Sequence, residues 1–204
     1  MRKWYILIIF GLMCCGGGDK EAIGLSVEEG TETVRSIVMV IAHRDFRDEE
    51  LDEPYRLLKQ AGYRVVVAST DTTEARGMLG MTIKPDITIE QIRHDDYIGI
   101  IVVGGTGCET LWDNESLHGV LRGFQKSEKL IAAICMAPVV LGRAGILTDL
   151  IVTAYPAVKD DIGRCGGVYT GSDVEKCGQV ITCSGPQAVQ EFGETILSTL
   201  SDER

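Results

Sequence analysis

Basic side chains are in short supply: twenty lysines and arginines stand against thirty aspartates and glutamates, a net charge of −10. A surface of that sign repels phosphate backbones and offers no basic stripe, which excludes a nucleic-acid partner. Histidine is scarcer still, with only His43, His94 and His118. The cysteines (Cys14, Cys15, Cys108, Cys135, Cys165, Cys177 and Cys183) form no CxxC pair and no metal-ligand spacing, so no zinc site and no metal are expected. Pairing of Cys165 with Cys177 stays open, because spacing alone cannot supply disulfide geometry. No apolar run is long enough to span a bilayer, and no low-complexity tract interrupts the 204 residues. With 45% hydrophobic content the chain can bury one ordinary core, and one domain is expected.

The first residues are expected to be an address rather than structure. Arg2 and Lys3 precede the apolar run Trp4 to Met13, which suits a signal-peptide h-region. The junction Leu12-Met13-Cys14-Cys15, followed by Gly16-Gly17-Gly18-Asp19-Lys20, resembles a bacterial lipoprotein signal in which a cysteine is acylated. On that resemblance residues 1–15 are a signal peptide and Cys15, with Cys14 as alternative, carries the lipid. The protein would then be exported and anchored to the bacterial membrane on its periplasmic or extracytoplasmic side. Cys14 stands where Gly, Ala or Ser is usual. Residues 16–33, rich in Gly and Glu, read as a flexible tether, leaving 34–204 as the folded domain.

From Val34 onward buried strands and helices alternate. The run Ile37 to Ala42 is continuous, apolar and β-branched, as a strand covered on both faces requires. Leu51, Tyr55, Leu57 and Leu58 recur at helical spacing between Asp48 and Gln60, with Gly62 placed to end that helix. Strand Arg64–Ser69, strand Ile98–Val103, helix Glu115–Lys126, strand Leu130–Ile134, helix Ala137–Arg143, strand Val180–Cys183 and helix Gln187–Leu200 follow. Ser184, with Pro186 and Gln187 behind it, suits the N-cap of the last helix. The alternation predicts βαβ units and a flavodoxin-like three-layer α/β sandwich, its mostly parallel central sheet covered by helices on both faces.

Ile131-Ala132-Ala133-Ile134-Cys135-Met136-Ala137-Pro138 sets a cysteine where a buried strand meets a helix. Such a cysteine stands at the carboxyl edge of the sheet, where open α/β folds bind ligands, and the helix dipole is expected to lower its pKa from ~8.5 toward ~3.5–7.5. Val102-Val103-Gly104-Gly105-Thr106-Gly107 ends a second strand in backbone able to aim N–H groups at an oxyanion on the same edge. Asp48-Glu49-Glu50 follows the first strand. Asp48 and Glu49 read as acids complementing the helix dipole, whereas Glu50, four residues before Pro54, is placed to turn toward Cys135 and share a proton with it.

Together, Phe46-Arg47-Asp48-Glu49-Glu50-Leu51 with Pro54, Gly104-Gly105, Ala132 to Pro138 around Cys135, and Ser184-Gly185-Pro186 with Glu191-Phe192 resemble the ThiJ/PfpI family, which has the class I glutamine amidotransferase-like fold. The resemblance spans about Val34 to Leu200. It implies Cys135 as a nucleophile-elbow cysteine, Glu50 as the carboxyl group bonded to it, and Gly105 and Met136 as oxyanion donors. It also implies a homodimer and, by function, cysteine-dependent protection against reactive carbonyls of the glyoxalase or deglycase kind, without a cofactor. The substrate would be a small reactive carbonyl or a modified protein.

Two departures stand against that picture. Met136 replaces the histidine that protease-like members carry after the cysteine, and Thr153-Ala154-Tyr155-Pro156 replaces a Thr-x-His-Pro stretch. Tyr155 can donate a hydrogen bond, but a phenol is a poor proton acceptor at neutral pH. His43, at the end of the first strand, is the candidate substitute base. The alternatives are a non-catalytic redox or stress module in which Cys135 is oxidised, and a peptidase, for which Met136 removes the local base.

Overall fold

The computed structural model describes residues 35–202. The expected signal peptide, the acylated Cys15 or Cys14 and the tether of residues 16–33 lie outside the described residues.

A seven-stranded sheet runs, from one edge, Val174–Cys177, Val180–Cys183, Leu130–Ile134, Gly99–Val102, Ser36–Val40, Arg64–Ser69 and Ile87–Thr88. Only Val174–Cys177 is antiparallel to its neighbour. The central strand shows why both faces must be covered. Ile37, Met39 and Ile41 enter one core, and Val38, Val40 and Ala42 enter the other.

Helices α1 (Asp48–Gln60) and α5 (Val189–Asp202) pack together on the first face through Leu51, Leu58, Phe192, Ile196 and Leu200. On the second lie α2 (Glu115–Lys126), α3 (Pro138–Arg143) and α4 (Lys159–Arg164), which contribute Leu117, Leu121, Phe124, Val139, Leu141 and Ile162. Burying each such side chain contributes about 1.5–3 kcal/mol, and the two cores fix the three layers. The expected sandwich is the one observed.

Local differences have local causes. The strands Arg44–Phe46, Ala75–Gly77 and Thr82–Ile83 form a small sheet, and Ile151–Val152 pairs with Val168–Tyr169. Segments of two or three residues are too short to show a period. Helix α5 starts later than expected, after the short turn Pro186–Ala188 capped by Gly185 rather than Ser184. Ser184 is still tied to the sheet edge, its N–H donating to the Asp173 carbonyl at 2.9 Å.

Asp48 does not merely complement the dipole of α1. It is buried, and its Oδ2 and Oδ1 accept the Leu79 and Met81 N–H groups at 2.8 and 2.7 Å, clamping the small sheet onto the helix. Glu49 is also engaged, accepting from Arg47 Nε and Nη2 at 2.9 and 3.1 Å.

Candidate active site

Cys135 follows strand Leu130–Ile134 with φ +64°, a left-handed torsion that a β-carbon disfavours and that costs about 1–3 kcal/mol. Two distant segments hold it there. Its N–H donates to the Cys183 carbonyl and its carbonyl accepts the Tyr155 N–H, both at 2.8 Å. The torsion turns the side chain toward a cavity of about 330 Å³ lined by Arg47, Glu50, Gly105, Met136, Tyr155 and Gln187 among others.

Glu50, in the first turn of α1, is wholly buried. Pro54 supplies no N–H to the Glu50 carbonyl, so that helical hydrogen bond is not made. Oε2 accepts the Gly104 N–H at 3.0 Å. The Cys135 thiol lies within hydrogen-bonding reach of the carboxyl group, yet Oε1 has no well-formed partner of its own.

Gly104 makes the approach possible. A β-carbon there would stand 2.7 Å from both Glu50 Oε2 and Cys135 Cβ, and 2.6 Å from the Ile134 carbonyl oxygen. Gly105, at φ +95°, lets the loop meet the backbone at Asp45 and Arg47, and the Arg47 N–H donates to the Gly104 carbonyl at 3.1 Å. The Gly105 and Met136 amides lie close enough to the Cys135 sulfur to favour its charged form.

The electrostatics differ from the sequence expectation for the thiol. Burial raises the Glu50 carboxyl from 4.5 to about 7, against the lowering pull of the Cys135 and Gly104 hydrogen bonds. Burial, followed by the neighbouring Glu50 charge, pushes the Cys135 thiol up to about 12, and the Gly105 and Met136 amides only partly offset this. The helix dipole loses because α3 has six residues and begins three positions after the cysteine. Cys135 is therefore a thiol beside a carboxyl group that titrates near neutrality.

Cys183 is pushed up to about 12 and Cys108 is raised as well, both chiefly by burial. Neither lines the cavity. Cys165 and Cys177 are free thiols, so the pairing left open by the sequence is not made here.

The structure thus brings together Cys135, Glu50, Gly105, Met136 and Tyr155, but not His43. His43 stands apart, with Nε2 3.3 Å from Thr73 Oγ1 and Nδ1 3.6 Å from Asp71 Oδ1. His94 packs edge-on against Phe124, and His118 is buried beneath Trp112. No histidine lines the cavity. The clamp at Asp48 was missed, because acids in a first helical turn look alike in sequence whether they face solvent or a loop.

The DJ-1/PfpI family model matches residues 35–199. A deglycase of Pyrococcus horikoshii is 29% identical over 149 residues, 73% of this chain and 90% of that protein. A glutathione-independent glyoxalase of Caenorhabditis elegans is 30% identical over 166 residues, 81% of this chain and 89% of that protein. The crystal structure of a ThiJ/PfpI domain protein from Brachyspira murdochii superposes with a TM-score of 0.81 at 27% identity, covering 83% of this chain and 98% of the other.

These relatives correct the expectation of export, a lipid anchor at Cys15 or Cys14, a membrane partner and a periplasmic location. They are described as a deglycase and a glyoxalase, with nothing to mark a lipoprotein or an anchored protein. Among the described residues no helix is long and apolar enough to cross a membrane. The anchor reading rested on the short run Trp4 to Met13, and apolar runs of that length have several physical origins.

Proposed function

The chain belongs to the DJ-1/PfpI family, and we propose that it acts on 2-oxoaldehydes or their protein adducts through Cys135 with Glu50 as its acid and base. The observation that carries this reading is a buried carboxyl group, raised to about 7, beside a cysteine that faces a cavity. A base is most useful when its pKa lies near the working pH, and Glu50 meets that need where histidine is missing.

The reaction starts with Glu50 ionised and Cys135 protonated. The thiol proton passes to the carboxylate as sulfur adds to the aldehyde carbon. The carbonyl electron pair becomes an alkoxide, which the Gly105 and Met136 N–H groups beside the sulfur receive. Glu50 passes the thiol proton on to the alkoxide, which gives a hemithioacetal and leaves the carboxylate ionised again. Glu50 then removes the proton from the former aldehyde carbon and returns it to the neighbouring ketone carbon, through an enediol. The first carbon is oxidised to a thioester and the second reduced to an alcohol, so the electrons balance within the substrate. Water cleaves the thioester, restores the thiol proton and releases a 2-hydroxy acid. In an adduct, sulfur attacks the corresponding carbon and the amine leaves.

The test is turnover of methylglyoxal to lactate. Activity is expected to rise with pH through about 7, as Glu50 becomes able to accept the thiol proton, and to vanish in Cys135→Ala. Equal rates in the parent and in that variant refute the mechanism.

A further inference from the structure

The two amides aimed at Cys135 belong to different loops, and one side chain fastens those loops together. Gly105 leads into the turn Thr106–Leu111, which ends at Trp112, whereas Met136 leads into α3. The Trp112 indole N–H donates to the Met136 carbonyl at 3.3 Å, an oxygen that also accepts the Val139 N–H at 3.4 Å.

Trp112 is itself held through both its ring and its main chain. The Arg143 guanidinium, from the last turn of α3, lies 5.1 Å from the ring centroid. Asp113 grips that guanidinium, both carboxylate oxygens accepting from Nη1 at 2.5 and 2.6 Å. On the main chain, buried His118 sets Nε2 2.9 Å from the Trp112 carbonyl oxygen.

We propose that Trp112 is a positioning residue that fixes the spacing between the Gly105 and Met136 amides, with Arg143 and Asp113 holding the indole to that task. Trp112 does not line the cavity, so it acts through Met136 rather than on substrate. It joins one end of the first oxyanion loop to the start of the second, and Arg143 returns the far end of α3 to the same ring. A mechanism that needs two donors converging on one oxygen is sensitive to their separation, since a misplacement of about 1 Å can cost ~10²-fold in rate.

The proposal rests on the Cys135 chemistry argued above, and its test separates the two. The chain has two tryptophans, Trp4 and Trp112, so Trp4→Phe leaves Trp112 as the only indole emitter. In that background, alkylation of Cys135 with iodoacetamide, verified by mass spectrometry, is expected to shift the Trp112 emission. The shift should be absent in Cys135→Ser treated alike. Trp112→Phe is expected to lower kcat for methylglyoxal about tenfold while KM stays within about twofold.

Arg143→Ala, remote from the cavity, should move kcat the same way by a smaller factor, and it carries the test should Trp112→Phe not fold. Unchanged emission after complete alkylation, or unchanged kcat in a folded Trp112→Phe or Arg143→Ala protein, overturns the proposal. Should the parent fail to turn over methylglyoxal while the emission still responds to alkylation, the catalytic reading falls and the coupling through Met136 stands.

Discussion

Replacing Glu50 by glutamine removes a buried charge, and its effect on stability has a definite sign at each pH. The unfolded chain releases the Glu50 proton near 4.5, whereas the folded protein holds it to about 7. Between those values the folded state binds more protons, so the contribution of this group to stability is fully present below 4.5 and is lost as pH rises through 7. At roughly 1.4 kcal/mol per pH unit of displacement, the full loss is about 3 kcal/mol. Glutamine has no such titration. Its oxygen can keep the Gly104 N–H, while its amide N–H groups replace an oxygen at a buried position, a change whose cost does not depend on pH.

Urea unfolding of parent and Glu50→Gln at about pH 5 and about pH 8 separates these contributions, because every other titrating group cancels in the comparison. On going from the lower to the higher pH, the variant is expected to gain about 2.5 kcal/mol relative to the parent. It should also lose turnover by about 10²- to 10⁴-fold. A difference between the two proteins that is the same at both pH values refutes the claim that burial lifts this carboxyl group.

Two further substitutions probe the frame around the site. Gly104→Ala forces a β-carbon against Glu50 Oε2, Cys135 Cβ and the Ile134 carbonyl, and is expected to cost about 1–3 kcal/mol in urea unfolding and to abolish methylglyoxal turnover. Unimpaired turnover would show that the acid and the thiol need not touch. Asp48→Asn turns one of two acceptors into a donor facing an N–H, and should cost about 1.5–3 kcal/mol in the same assay while leaving iodoacetamide labelling of Cys135 intact.

The parts of the fold legible in the sequence are those where one physical demand repeats over many residues. Strand Leu130–Ile134 and helices α1 and α2 begin and end where their apolar patterns do, because two buried cores dictate them. The meeting of Cys135, Glu50 and Gly105 was legible for a related reason: each stands at the carboxyl end of a strand or just beyond it, and a parallel sheet gathers those ends on one edge. The acidity of the thiol was not legible. It depends on how deeply Cys135 and Glu50 are buried and on how short α3 is, neither of which spacing reveals. His43 looked available from its place after the first strand, but the chain turns there into the small sheet and carries it to Asp71 and Thr73. Trp112 gave no signal either, because its partners Met136 and Arg143 lie 24 and 31 positions away and follow no period.

The left-handed torsion at Cys135 also bears on the history of each molecule. The two carbonyl and amide partners that enforce it, at positions 155 and 183, are made by the ribosome after the cysteine itself. A nascent or truncated chain therefore carries only an ordinary thiol in relaxed backbone. The buried, cavity-facing arrangement comes into being when strand Val180–Cys183 joins the sheet, so synthesis delivers the thiol already housed.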